Sequence, residues 1–102
     1  MGDHNEYLEA ERVYERLCNN HPDVIQEMKD LIDQYAESRD DVYGNRAGRS
    51  ILPKHPSFQG LCGDRAAQVF GILLRDHLTA ASWDRDEEED GRGKKVTVYR
   101  RP

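Results

Sequence analysis

The stretch that decides the fold closes the chain, where residues 77–102 read HLTAASWDRDEEEDGRGKKVTVYRRP. From residue 95 to residue 101, side chains alternate between two faces and the segment is rich in β-branched and aromatic residues, which is typical of a strand. One face would carry Val96, Val98 and Arg100, and the other Thr97, Tyr99 and Arg101. We therefore predict a C-terminal strand that forms half of a hairpin.

The other half of the hairpin is predicted at residues 80–85, where the strand pattern is weaker. Trp83 lies in this segment, and we expect its ring and that of Tyr99 to cover the hairpin instead of stacking on a ligand. The acids at residues 86–90 would lie in the connecting loop, where Gly91 and Gly93 tolerate positive φ. The chain would thus end in two strands joined by a charged loop.

A helix is predicted immediately upstream, at residues 65–78. Its apolar residues recur at helical spacing and are Ala66, Val69, Phe70, Leu73 and Leu74. Gly63 and Asp64 would form the turn and the N-cap that introduce it. The irregular segment before them, residues 40–63, is predicted to hold a short strand at residues 50–52 and a short helix capped by Ser57.

Two amphipathic helices are predicted farther upstream, at residues 5–18 and 22–38. The first carries an apolar stripe of Tyr7, Ala10, Tyr14 and Leu17. Pro22 suits the first position of the second helix, because the N–H group that proline lacks would have no partner there.

Length and charge indicate one domain with two unlike parts. The chain of 102 residues has a net charge of -5 and is expected to form a single domain, 1–102. Residues 1–41 contain twelve acids and four bases, whereas residues 42–102 contain eight acids and eleven bases. The acidic helical part and the basic part suggest that one side of the domain faces phosphate groups.

Several classes of protein are disfavoured by the sequence. No apolar run approaches the roughly 18 residues of a membrane span and no secretory leader is visible, so we expect a cytoplasmic protein without a membrane partner. No recognisable nucleophile pattern or glycine-rich phosphate loop is present, so we expect no enzyme, no cofactor and no small-molecule substrate. One alternative is a zinc site formed by Cys18, His21, His55 and Cys62, although only the first pair has typical ligand spacing.

In chain order the predicted elements are helix, helix, short strand, short helix, turn, helix, strand, charged loop and strand. Without the first helix, this order resembles the winged helix-turn-helix family, in particular the small winged-helix proteins common in archaea. The segments that carry the resemblance are SILPKHPSFQGLCGDRAAQVFGILLRDHL (50–78) and ASWDRDEEEDGRGKKVTVYRR (81–101). The resemblance implies an α+β, mostly helical fold, a winged helix-turn-helix with an extra N-terminal helix and a C-terminal β-hairpin wing.

The resemblance also implies a DNA-binding transcriptional regulator whose helix 65–78 enters the major groove of double-stranded DNA. Arg65 and Gln68 would read base edges, because arginine can bind guanine and glutamine adenine through two hydrogen bonds. Arg75, farther along the helix, is expected to be structural or to contact the DNA backbone. Phosphate contacts are predicted for the basic residues near the short helix and on the hairpin: Arg46, Arg49, Lys54, Arg92, Lys94 and Lys95.

Two alternatives stay open. The fold could instead be a winged-helix interaction module that binds another protein through its acidic helices and binds no DNA. The apolar stripe of the first helix predicts a homodimer built from residues 5–38, unless that helix folds back onto Met28, Ile32 and Tyr35 of its own chain.

Overall fold

The computed structural model describes residues 2–102, with side chains from Tyr7 onward. Within this range the helices are α1 (Gly2–Asn20), α2 (Pro22–Ala36), α3 (Gly44–Ile51), α4 (Pro56–Cys62) and α5 (Ala66–Ala80). The strands are β1 (Asp41–Tyr43), β2 (Asp84–Glu89) and β3 (Lys95–Arg100). The predicted α+β, mostly helical class is confirmed. Among the described residues, no helix has the length and apolar character needed to cross a membrane.

The two N-terminal helices are confirmed with shifted ends. α1 is longer than predicted, whereas α2 ends at Ala36 instead of residue 38. Only His21 separates the two helices, and Pro22 begins α2 as expected.

The apolar stripe of α1 is buried within its own chain. Ala10 is fully buried, Leu17 is 3% exposed, and α1 packs mainly along α5 and also against α2. Tyr14 is half-buried and Tyr7 stays exposed. The homodimer was predicted because the apolar stripe of α1 was expected to need a second chain to cover it. In this structure α5 and α2 of the same chain cover the stripe.

The short strand predicted at residues 50–52 is wrong. These residues end α3 and begin a 3-10 turn (Leu52–Lys54), while the first strand is β1, which pairs with β3. Three apolar residues are too few for their spacing to distinguish a strand from a buried helical turn. Ile51 is fully buried in the helical conformation, and pairing with a distant strand selects residues 41–43 instead.

The predicted short helix exists as α4, but Ser57 does not cap it. His55 is the N-cap residue, and its Nδ1 accepts a hydrogen bond from the backbone N–H of Phe58 at 3.1 Å. Asp64 likewise caps no helix: residues Gly63–Arg65 form a second 3-10 turn, in which Gly63 has a φ of 59°. The predicted helix 65–78 corresponds to α5.

The three strands form an antiparallel sheet in the order β1-β3-β2. Tyr99 of β3 lies opposite Val42 of β1 and Arg85 of β2, so these three residues share a face. We call this the inner face of the hairpin, because Val42 and Tyr99 belong to the main core that the helices share. The opposite side is the outer face, and it carries Asp84, Asp86, Glu88, Val96, Val98 and Arg100.

The second strand was predicted four residues too early. β2 spans Asp84–Glu89, so all but the last of the five acids predicted for the loop lie in a strand, and the loop is residues 90–94. Acidic residues are uncommon in strands, but β2 is an edge strand with a solvated face, where pairing with β3 outweighs their low propensity.

The core lies between the helices and the inner face of the hairpin. Its largest side chains with less than 2% exposure include Phe58, Phe70, Met28, Ile32, Ile51, Leu73 and Leu74. Burying a side chain of this size stabilises the fold by about 1.5–3 kcal/mol. Ser82, in the left-handed region at φ 70°, reverses the chain after α5 and directs Trp83 back into this core.

Candidate functional site

A groove of about 850 Å³ runs between α3, α5 and the inner face of the hairpin. α3 and the following 3-10 turn form one wall, and the hairpin with its loop forms the other. α5 lies along the floor. Tyr7, from the first turns of α1, also lines the groove.

The floor of the groove is built from small residues. Ala67 and Gly71 face it from α5, and Gly44 and Gly48 line it from α3. A methyl group added at Gly48 would lie 3.6 Å from the Phe70 ring, which shows how closely α3 approaches α5. A methyl group at Gly71 would meet no neighbouring side chain within 4 Å, so the space above α5 is open to a ligand.

The walls of the groove are basic. Six basic side chains line it, from α3, α5, β2, the hairpin loop and β3: Arg49, Arg75, Arg85, Arg92, Lys94 and Lys95. Among the residues that the structure describes, Asp90 is the only acid that lines it. A chain with a net charge of -5 therefore concentrates positive charge on one concave surface.

Most of these basic groups have no carboxylate partner. Arg75 contacts Asp76 at 3.2 Å and donates to the Tyr7 hydroxyl at 2.6 Å. None of the other five lies within 4.0 Å of a carboxylate among the side chains from residue 7 onward. Elsewhere the same chain pairs its charges across elements, as in Arg65 with Glu9 at 3.4 Å and Arg100 with Asp86 at 3.2 Å.

Asp90 organises the loop that presents two of the basic groups. Its Oδ1 accepts hydrogen bonds from the backbone N–H of Arg92 at 2.8 Å and of Lys94 at 3.0 Å. These two bonds lower the pKa of the Asp90 carboxyl below its ordinary value of 3.8. The Asp90 carboxylate thus binds the backbone N–H groups of the loop, while the side chains of Arg92 and Lys94 line the groove.

The outer face of the hairpin has the opposite character. Arg100 pairs there with Asp86 at 3.2 Å and also with Glu88. The Tyr43 hydroxyl donates to Glu88 at 3.1 Å, and this hydrogen bond raises the pKa of Tyr43. Arg46 places its guanidinium over the Tyr43 ring, 4.7 Å from the ring centre.

The groove collects four of the six predicted phosphate contacts, namely Arg49, Arg92, Lys94 and Lys95. Arg46 lies beside the outer face instead, and Lys54 is exposed in a turn that ends outside the groove. Of the two predicted base readers, Gln68 lines the groove and is exposed. Arg65 is not among the lining residues, and its guanidinium pairs with Glu9 of α1.

Two further bases line the groove: Arg75, which was expected to be structural or to contact the DNA backbone, and Arg85, for which no contact was predicted. Arg75 follows Gln68 by seven positions, so helical spacing alone could have placed both on one face of α5. Arg85 was placed at the end of the predicted strand. Its position opposite Tyr99 follows only from the observed register of β2 and β3.

The four candidate zinc ligands do not come together in one site. Both nitrogens of the His55 ring have partners, the backbone N–H of Phe58 and Glu27 Oε1. Cys62 is buried, and burial raises the pKa of its thiol to about 11. Within the described part of the chain, no group of three or more His, Cys, Asp or Glu side chains is arranged to hold a metal ion.

The aromatic side chains of the hairpin are structural, as expected. Trp83 and Tyr99 are 9% and 3% exposed and belong to the core. The guanidinium of Arg101 covers the Trp83 ring at 4.7 Å and donates to carbonyl oxygens at the end of α2, including that of Ala36. Neither ring is available to stack on a ligand.

Comparisons with known proteins add no family: no protein-family model matches the chain, and neither a curated protein nor a solved structure is significantly similar to it.

Proposed function

We propose that this protein binds double-stranded DNA through the basic groove. The observation that carries the proposal is the set of five basic groups without carboxylate partners on one concave surface of an acidic chain. A protein with more acids than bases could have paired these groups internally. Leaving them unpaired lowers the electrostatic cost of bringing a polyanion into the groove.

The energy of binding would come mainly from phosphate contacts. Each basic group that neutralises a phosphate releases a condensed counterion, so affinity falls as salt rises. Six contacts would give a slope of roughly -5 in a plot of log affinity against log salt concentration. Bound in this way, the protein would regulate transcription by occluding DNA or by recruiting other factors.

The winged-helix resemblance also supports double-stranded DNA as the ligand of the groove. The hairpin stands beside α5 as a wing stands beside a recognition helix, and its loop supplies Arg92 and Lys94 to the groove. Base reading by Arg65 and Gln68 stays a prediction of that resemblance.

A protein-interaction module is the second candidate, because apolar side chains also line the groove. Leu52 and Pro53 lie on the wall that follows α3, beside the glycines. An acidic peptide could place its backbone on the groove floor and its carboxylates against the basic walls.

Salt-dependent binding isotherms with duplex DNA test the proposal. The variant Lys94→Ala/Lys95→Ala removes two groove bases, and Arg46→Ala/Lys54→Ala removes two bases outside the groove. We expect the groove variant to bind roughly tenfold more weakly and to lose about 1.8 from the salt slope. The control variant should bind as the parent protein does.

Two results would refute the proposal. One is the absence of duplex binding by the parent protein even at about 50 mM salt. The other is an equal loss of affinity in both double variants, since that would show no role for the groove.

The binding unit that we propose is one chain, because the α1 stripe is buried against α5 and α2. The homodimer stays a prediction, because the stripe on which it was based is already buried within one chain. Light scattering distinguishes the two states: we expect a mass near 11.8 kDa that does not change as the concentration rises. A mass near twice that value would restore the dimer.

A further inference from the structure

The groove is recessed where a base-reading surface would have to protrude. Base edges in the major groove lie about 8.5 Å below the DNA surface, so only an element that stands out from the protein reaches them. The face of α5 with Ala67, Gln68 and Gly71 forms the floor between two walls. Such a concave surface fits the convex ridge of a sugar–phosphate strand better than the interior of the major groove.

The groove is also poor in groups that could read bases. Three amide side chains line it, Asn45, Gln59 and Gln68. Asn45 Oδ1 accepts from the backbone N–H of Arg46 at 2.9 Å, and Gln59 Nε2 donates to the Leu52 carbonyl at 2.6 Å. A bidentate contact with adenine uses both ends of an amide, and Gln68 is the lining amide that has no hydrogen bond to the described residues.

The remaining base reader is held away from the groove. Arg65 ends the 3-10 turn before α5, and its Nε lies 3.4 Å from Glu9 of α1. The small floor residues bring no hydrogen-bonding side chain to a ligand. They allow the backbone of a rigid ligand to approach α5 closely, because no side chain lies within 4 Å of a methyl group placed at Gly71.

We propose that the groove holds one sugar–phosphate strand of duplex DNA and that the affinity does not depend on base sequence. The inference rests on the proposed function, and it narrows the ligand to the duplex backbone. The basic walls contact phosphates, and the floor of α5 lies against the sugar–phosphate chain. Single-stranded DNA binds less well, since Phe70 and Tyr99 are buried and Tyr7 is the only exposed ring among the described lining residues, whereas successive bases need several rings on which to stack.

Fluorescence anisotropy with three duplexes of equal length tests the inference: one rich in A·T pairs, one rich in G·C pairs and one of mixed sequence. A single bidentate base contact would separate a right from a wrong site by roughly 5- to 150-fold. We expect the three dissociation constants to agree within about threefold, below the effect of one base contact. A single strand of the same length should bind more weakly than any of them.

Two variants with opposite expectations sharpen the test. Gln68→Ala should leave the ratios among the three duplexes unchanged, because no base contact is lost. Arg85→Ala should weaken binding to all three by one common factor and reduce the salt slope by about 0.9. Lys54→Ala, a base outside the groove, is the matched control and should change neither quantity. Circular dichroism confirms that each variant is folded.

The possible failures are distinct. A preference above tenfold for one duplex, abolished by Gln68→Ala or Arg65→Ala, would overturn this inference and leave DNA binding in place. No binding to any duplex would overturn the proposed function itself. Binding to polyglutamate but to no duplex would assign the groove to an acidic protein partner.

Discussion

The two faces of the β2–β3 hairpin use charge in opposite ways. On the outer face, Arg100 pairs with Asp86 and Glu88, so the charges that face solvent also hold the two strands together. On the inner face, Arg85 and Lys95 line the groove without a carboxylate partner among the described side chains. The acids that share the inner register, Glu87 and Glu89, do not line the groove.

This difference separates charges that serve the fold from charges that are free for a ligand. Alternation along a strand sends neighbouring residues to opposite faces, so Arg100 stabilises the sheet while Lys95 faces the groove. Net charge averages over both faces and therefore conceals the basic groove. Pairing within the structure is the better guide to which surface can receive an anion.

The largest expected effect concerns the apolar residues beneath these charges. Tyr99→Ala should lower the free energy of unfolding by about 3–5 kcal/mol, because Tyr99 belongs to the main core with Val42. Val98→Ala should cost about 1.6 kcal/mol, the value for two methyl-sized groups, since Val98 is buried outside that core. Urea denaturation of both variants measures the difference.

Tyr99→Phe is the control for this comparison, because it keeps the ring and removes only the hydroxyl. We expect it to stay close to the parent protein in stability. If Val98→Ala proved as destabilising as Tyr99→Ala, the buried residue of the outer face would contribute as much to stability as the main core does.

The next effect tests the ion pairs of the outer face. Arg100→Ala leaves Asp84, Asp86 and Glu88 in a row on one strand, together with Asp41 across the sheet. We expect a lower melting temperature that recovers by about half or more at roughly 1 M salt, because salt screens repulsion between exposed charges.

Arg92→Ala is the matched control for Arg100→Ala. It removes the same charge from the same hairpin, but Arg92 lies in the loop and has no ion pair among the described side chains. We expect its melting temperature to match that of the parent protein at all salt concentrations. An equal decrease in both variants would mean that net charge, and not pairing on the outer face, controls the stability of the hairpin.

The smallest expected effect is local to the loop that joins the two faces. Asp90 is stabilised in its ionised form by the N–H groups of Arg92 and Lys94, so its pKa is lowered from 3.8 in the folded protein. The stabilisation is fully present above pH 3.8 and is lost as the pH falls through the lower pKa of the folded state. The amide proton shifts of Arg92 and Lys94 should therefore titrate together with a midpoint below 3.8.

Asp90→Asn should abolish this shared titration, because the amide does not ionise. A midpoint at or above 3.8 in the parent protein would contradict the hydrogen-bonded loop. Asp86→Asn, which changes a carboxylate outside the loop, is the control and should leave the shared titration of these two amide protons unchanged.

The sequence predicted the long elements better than the short ones. The stripes of α1, α2 and α5 repeat over several turns, so the helical period is visible without any tertiary information. Residues 50–52 carry too short a pattern, and β1 exists only because β3 pairs with it. The candidate site divides in the same way: the basic residues of the hairpin loop stand out in the sequence, whereas Arg85 needed the register of β2.

By itself, the sequence determined which segments are amphipathic, where the chain turns and that positive charge concentrates after residue 41, since these depend on residue type and local spacing. Only the tertiary structure decided that α1 is covered by α5, that Arg65 pairs with Glu9 and that Arg85 and Arg75 line one groove. Each of these outcomes joins residues that are far apart in the chain. Their formation depends on packing and strand register, which no local pattern specifies.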